Sequence, residues 1–194
     1  MERILDVGCG TCKHVEPGAI TIGIDIAPLP GVDVLCNIEY PLPFKDDSFD
    51  KAHANGVMEH THNFLPLMEE LHRIVKGSIN IMVPYFASKD AFRDPTHCRF
   101  FTYETFDIFE PETKLNHFYS CARFKILKKY LNFRGGQGRL TLLNKIINPF
   151  VNVIPRFYEA FLCGIIRCDE LYVSLTRLPR GPEKYKARRI TNIL

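Results

Sequence analysis

A short apolar run that breaks on glycines constrains this chain more than anything else in it. Ile4-Leu5-Asp6-Val7 leads into Gly8-Cys9-Gly10, and after a short interval Ile20-Thr21-Ile22-Gly23-Ile24 ends on Asp25. The pattern predicts two buried parallel strands. The crossover between them is near the shortest length such a connection allows, so its helix can be only a turn or two. Glycines at a strand-to-helix turn let ligand atoms approach the backbone, and a helix start offers free N–H groups. In an open parallel sheet, ligands sit beyond the carboxyl ends of the strands, where Gly8 and Gly10 fall. Asp25, at the tip of the next strand, is placed to accept hydrogen bonds from ribose hydroxyls. A dinucleotide fingerprint asks for a third glycine, but Thr11-Cys12-Lys13 follow Gly10. A nucleoside ligand without a pyrophosphate fits better.

Further apolar runs continue the alternation of strand and helix that marks an α/β fold. Strands are expected at residues 4–7, 21–25, 32–36, 49–54 and 78–83, then at 123–133 and 170–178. Phe64, Leu67, Met68, Leu71, Ile74 and Val75 recur at helical spacing, which predicts a core-packed helix over residues 64–76. Thr61 or Asn63 can cap its start, and Gly77 is expected to end it. A second short helix is expected from Thr102 to Pro111, and a glycine turn at residues 135–138. Residues 140–166 read as helical pieces separated by proline. No repeat or linker divides the chain, so residues 1–179 are taken as one domain and 180–194 as a basic tail.

The net charge of +3 is uneven, because residues 177–194 hold six bases against the single acid Glu183. Such a tail can touch nucleic acid, but a solvated terminus is the favoured reading. Seven cysteines without framework spacing point to a reducing, cytoplasmic setting. No leader is expected, since Met1-Glu2-Arg3 runs straight into a strand. No transmembrane segment is expected either, because the most apolar stretch carries Lys145, Arg156 and Glu159 and is interrupted by Pro149 and Pro155. A monomer or homodimer is expected.

LDVGCG, then GIDI, then CNIEYPLPFKDDSFD, then NGVMEH, in that order and spacing, resembles the class I S-adenosylmethionine-dependent methyltransferases, most of all their small-molecule, type-11-like branch. The resemblance covers Ile4 to about Pro84. It implies a Rossmann-like, mostly parallel seven-stranded sheet with an antiparallel final strand and helices on both faces, and S-adenosyl-L-methionine as cofactor. It further implies that Asp6, Gly8 and Gly10 surround the methionine part, with Cys9 contributing backbone. Asp25 would hold the ribose, while Ile26 and Ile38 flank the adenine. Where the family usually has Asp after the third strand, this chain has Asn37, whose amide oxygen can still accept the adenine amino group. Asn55, Gly56, Val57 and His60 would close the site at the end of the fourth strand. The family normally has helices before the first strand that help cover the cofactor. This sequence begins almost at that strand, so residues 140–166 become the candidate lid.

Methyl transfer is an in-line displacement on a sulfonium, so positioning and exclusion of water dominate. A base is needed only for an acceptor that must lose a proton. The candidates are His97, His60, Asp94 and His53, of which Asp94 and His97 fall in an Asp94-Pro95-Thr96-His97 stretch that also looks like one in some relatives of the family. A structural loop, with Asp94 capping a turn and His97 bonded to backbone, explains the same stretch. Tyr85 and Phe86 are candidate acceptor walls or core packing. The expected acceptor is a small molecule methylated on oxygen, nitrogen or carbon. An RNA or protein acceptor recruited by the tail, and a non-catalytic cofactor-binding subunit, are the rival readings. No metal is expected: Cys9-Gly10-Thr11-Cys12 is a lone CxxC without a second pair at zinc spacing.

Overall fold

The computed structural model describes residues 1–113, 119–133 and 141–180. The expected glycine turn at 135–138 and the tail from residue 181 onward lie outside them. Seven strands form one sheet: β1 (Glu2–Val7), β2 (Ala19–Asp25), β3 (Val34–Leu35), β4 (Phe49–Asn55), β5 (Val75–Pro84), β6 (Phe124–Asn132) and β7 (Glu170–Arg177). Their spatial order is β3-β2-β1-β4-β5-β7-β6. The first five run parallel, and β7 lies antiparallel between β5 and β6. The chain winds outward from β1 in one direction and from β4 in the other. The carboxyl ends of these two neighbours are therefore the switch point at which open α/β sheets bind ligands.

Helix α1 (Phe64–Ile74) connects β4 to β5. Its stripe of Phe64, Leu67, Met68, Leu71 and Ile74 is buried in one cluster with Ala52, Ala54, Ile79, Ile81 and Val83 of the sheet. Phe101, Phe106 and Phe109 extend that core, their ring centroids 5.6, 5.7 and 5.8 Å from Phe64. The last two sit on a 3₁₀ turn, Thr105–Phe109, where a short helix was expected.

Both expected ends of α1 need correction. Asn63 occupies the N-cap position without a side-chain capping bond; its amide instead donates to the Glu39 carbonyl at 3.0 Å. At the other end the helix gives way to β5 at Val75, so Gly77 is a strand residue. A Cβ there would stand 2.5 Å from the Asp50 carbonyl oxygen, so this glycine permits close strand approach and ends no helix. The crossover from β1 to β2 also differs from expectation, since it contains turns and no helix. Polar ties hold it: His14 N–H donates to Asp6 Oδ2 at 2.7 Å, and Lys13 Nζ to Asp33 Oδ2 at 2.9 Å.

Helix α2 (Asp90–Arg93) is a single turn. Helix α3 (Thr141–Val153) contains Pro149 within its length, so that proline does not break the segment. Asn148 and Asn152 of α3 face the free edge of β6. Their side-chain oxygens accept the Phe133 and Leu131 N–H groups at 2.7 and 2.8 Å, and Asn152 Nδ2 donates to the Leu131 carbonyl at 2.7 Å. The side chains thus do for this edge what a further strand would do. Helix α4 (Pro155–Phe157) runs into a π turn, Tyr158–Leu162. Glu159 on that turn accepts both the Tyr85 hydroxyl and the Tyr103 N–H, at 2.9 and 2.7 Å.

Helices therefore flank the sheet unevenly. Strand side chains alternate between faces, and the side opposite the α1 core carries a row of polar residues. Asp6, His53, Asn80, Ser174 and Lys128 stand side by side on β1, β4, β5, β7 and β6. All seven cysteines are free, and among the described residues no helix is long and apolar enough to cross a membrane.

Candidate functional site

Gly8 and Gly10 lie just beyond β1 with φ of +66° and +52°, the left-handed region that glycine enters without penalty. The turn packs hard on the end of β4, since a Cβ on Gly8 would stand 2.4 Å from Val57 Cγ2. Gly10 N–H donates to Asp25 Oδ2 and Ala27 N–H to Asp25 Oδ1, both at 2.9 Å. Each oxygen retains acceptor capacity for a ligand hydroxyl. Asp6 is buried under the turn, and burial pushes its carboxyl above the usual range despite the bond from His14 N–H. Cys9 donates its N–H to the Ile24 carbonyl at 3.0 Å, and its sulfur packs against Gly23. Burial pushes its thiol pKa up, the opposite of what a reactive cysteine needs.

A cavity of about 400 Å³ opens at this switch point, within the usual size of ligand pockets. Gly8, Asp25, Ile26, Asn37, Ile38, Gly56, Val57 and His60 of the expected set line it, together with Cys36 and Glu39. Asn37 Oδ1 already accepts the Glu39 N–H at 3.0 Å, which leaves it a single lone pair. Glu39 was not foreseen. Its two oxygens accept the His62 and Asn63 N–H groups at 2.7 and 3.0 Å, and so tie the adenine-side loop to the start of α1. Those partners are distant in sequence, so no local signal marks it.

Asn55 falls elsewhere. It lines a second cavity, of about 570 Å³, on the polar sheet face with His14, His53 and Asn80. His53 is likewise removed from the base candidates at the cofactor cavity. Its ring stacks on His14 at 3.8 Å, and both Nε2 atoms reach Glu16 Oε1, at 3.3 Å from His14 and 3.2 Å from His53. Tyr85 is fully buried and belongs to the core, so it is no acceptor wall. Among the described residues, none of 143–166 lines the cofactor cavity.

Asp94, His60 and His97 do come together. His60 ends a 3₁₀ turn, Met58–His60, that follows β4. The loop carrying Asp94 and His97 is stitched to that turn by the Cys98 and Arg99 N–H groups, which both donate to the Glu59 carbonyl at 2.9 and 3.1 Å. Thr96 Oγ1 donates to Asp94 Oδ1 at 2.7 Å and lies 2.9 Å from His60 Nδ1. With its proton directed at Asp94, the hydroxyl accepts from His60 Nδ1–H, so His60 Nε2 carries the lone pair. The same Thr96 bonds hold the Asp94 carboxyl below its ordinary range. His97 Nδ1 stands 3.0 Å from the Ala91 carbonyl, which can only accept, so the neutral ring has its lone pair on Nε2. The two imidazoles meet edge to face at 4.7 Å. Burial, followed by the neighbouring His97, lowers the His60 pKa.

Beside them lies Glu59, a further residue the sequence reading did not place in the site. It is 3% exposed, with Oε1 at 4.0 Å from His97 Nε2 and Oε2 buried without a hydrogen-bond partner. Burial raises its carboxyl pKa.

A family model described as a methyltransferase domain matches residues 5–78, which contain every residue lining the cofactor cavity. A relative from Methanocaldococcus jannaschii, described as an uncharacterised protein, is 27% identical over 157 residues, covering 74% of this chain and 70% of that one. Among solved structures, the YcgJ protein of Bacillus subtilis superposes with a TM-score of 0.57 at 17% identity, covering 93% of each chain. A SAM-dependent methyltransferase from Archaeoglobus fulgidus gives 0.52 at 18% identity, over 91% of this chain and 86% of that one. At such identities the likeness to the solved structures is one of fold.

Proposed function

We propose that this chain, which belongs to the class I S-adenosylmethionine-dependent methyltransferases, methylates a small-molecule oxygen, nitrogen or carbon by in-line displacement. One observation carries the reading: His60, with His97 against it, borders the same cavity as Gly8 and Asp25. Cofactor and acceptor then meet at the end of β4.

S-adenosylmethionine supplies an activated methyl group when bound. Asp25 would accept the ribose hydroxyls, Ile26 and Ile38 would flank the adenine, and the remaining Asn37 Oδ1 lone pair would accept its amino group. The backbone around Gly8 and Gly10, with Asp6 beneath it, would hold the methionyl end. The cofactor's methyl carbon would be the electrophile for an acceptor lone pair, with the carbon–sulfur electron pair remaining on sulfur. Most of the protein's work is to align these atoms and keep water out. His60 and His97 present lone pairs on the acceptor side, and Asp94 orients His60 through Thr96.

The test is a two-step assay with purified full-length protein. S-adenosylmethionine binding is measured by calorimetry, then pooled metabolites are offered with methyl-labelled cofactor and product is sought. Labelled small-molecule product is expected. Labelling of RNA or protein alone, abolished by deletion of the tail residues 180–194, would overturn the acceptor assignment.

A further inference from the structure

We propose that Glu59, His60 and His97 form a binding site for one divalent first-row metal ion, which holds and activates an oxygen of the methyl acceptor. The proposal deepens the methyltransferase reading and rests on its placing of the acceptor beside His60.

The first observation is a buried carboxyl oxygen without a partner. Glu59 Oε2 is buried and unbonded, and the carboxyl's other oxygen, Oε1, stands 4.0 Å from His97 Nε2. A cation beside these oxygens would supply the partner that the buried oxygen lacks. The carboxyl also lies beside the cofactor cavity, since a Cβ on the cavity-lining Gly56 would stand 3.7 Å from Glu59 Oε1.

The second observation is the state of the two imidazoles. A metal-ligating histidine donates its other ring N–H to a carbonyl or carboxylate, which fixes the tautomer and ring orientation. His97 does this directly to the Ala91 carbonyl, and His60 does it through Thr96 to Asp94. Both leave Nε2 as the free donor. One ligand atom from each of Glu59, His60 and His97 lies within 4.8 Å of the others. Bonds of about 2.1 Å to each ligand require only modest closure of these side chains.

The other histidine–carboxylate group makes a useful contrast. His14, Glu16 and His53 are equally close, but Glu16 is already satisfied. Its Oε1 meets both imidazoles and its Oε2 meets Lys51 Nζ at 3.1 Å. That group explains itself as an ion-paired tie between the crossover and β4, and the group at Glu59 does not.

Two imidazoles and one carboxylate on one side of an ion leave coordination positions open for substrate. An acceptor hydroxyl bound there is acidified as a metal-bound water is. Its proton passes to solvent, its oxygen electron pair forms the bond to the methyl carbon, and the carbon–sulfur pair remains on sulfur. The neutral ether product binds the ion more weakly than the alkoxide and leaves. The acceptor class is then an oxygen nucleophile able to coordinate a metal, such as a hydroxyl beside a carbonyl or a second hydroxyl.

Untagged full-length protein is titrated with Co²⁺, followed by visible absorption, and with Zn²⁺, followed by calorimetry. One equivalent is expected, with nitrogen and oxygen ligand-field bands and no thiolate charge-transfer band. Glu59→Gln and His60→Ala should each weaken binding more than about tenfold, and the supporting change Thr96→Val by about tenfold. His53→Ala should leave it unchanged. Absence of binding by both ions, thiolate bands, or loss in His53→Ala with retention in Glu59→Gln would each overturn the site. Should Glu59→Gln fail to fold, His60→Ala decides. Calorimetry of S-adenosylmethionine on the metal-free protein separates the two claims. Cofactor binding without any metal binding removes only the ion, and metal binding without cofactor binding supports the ion while removing the methyltransferase reading.

Discussion

Asp25 holds two backbone N–H groups at once and has lone pairs left for a ligand, so its removal acts on both the turn and the ribose. Asp25→Ala should lower S-adenosylmethionine affinity by about 2–4 kcal/mol, or roughly 30- to 700-fold in Kd. Unchanged affinity in calorimetry would sink the ribose assignment. At Gly8 two penalties coincide, a φ of +66° and a 2.4 Å approach to Val57 Cγ2. Gly8→Ala should therefore destabilise the fold by about 1–2 kcal/mol through its backbone, and weaken cofactor binding by pushing Val57 into the cavity. Adding Val57→Ala should restore the binding but not the stability. If it restores neither, the steric account fails. Both residues are legible in sequence because their signals are local, a glycine after a strand and an acid at a strand tip. Glu59 is not legible in the same way, since its burial comes from the loop around Cys98 and Arg99, forty residues on. Asn55 shows a different failure. In β4 the core takes Ala52 and Ala54, so strand alternation puts Asn55 with His53 on the other face.

At the scale of elements, periodicity identifies α1 well because its stripe packs on one sheet face, and truncating Leu71 to Ala should cost about 2–5 kcal/mol in denaturant unfolding. Element ends are less legible, since tertiary partners decide them. Gly77 reads as a helix stop yet serves a strand approach to Asp50, and the β1–β2 crossover is held by polar ties to Asp6, Asp33 and β4 rather than by a helix. The β6 edge offers the sharpest test. Asn148 and Asn152 satisfy backbone groups that would otherwise lie unpaired at a half-buried edge. Asn152→Ala should cost about 1–3 kcal/mol and should selectively speed hydrogen exchange at the Leu131 amide, while Phe133 keeps its Asn148 partner. Equal acceleration at both amides would mean that α3 detaches as a unit.

For the whole molecule, the sheet order separates two regions that the sequence leaves free to touch. The cofactor cavity sits at the ends of β1, β2, β3 and β4, while α3 and the π turn after α4 are anchored at the far side, on β6 and on Tyr85 after β5. A segment tied down in this way can border the acceptor's approach, but its hydrogen bonds give it no direct hold on the adenosine. Binding energy should accordingly appear where the ligand touches. S-adenosylmethionine at a hundred times its Kd adds about 2.7 kcal/mol to the unfolding free energy, which corresponds to a rise in Tm of roughly 5–11 °C for a chain of this size. Hydrogen-exchange protection beyond that global shift should concentrate in residues 8–18, 25–39 and 56–60. Residues 141–166 should change only when an acceptor is also present. Strong protection of 141–166 by the cofactor alone would show that the segment closes over the nucleoside after all, and that its anchorage on β6 and Glu159 is one of two arrangements.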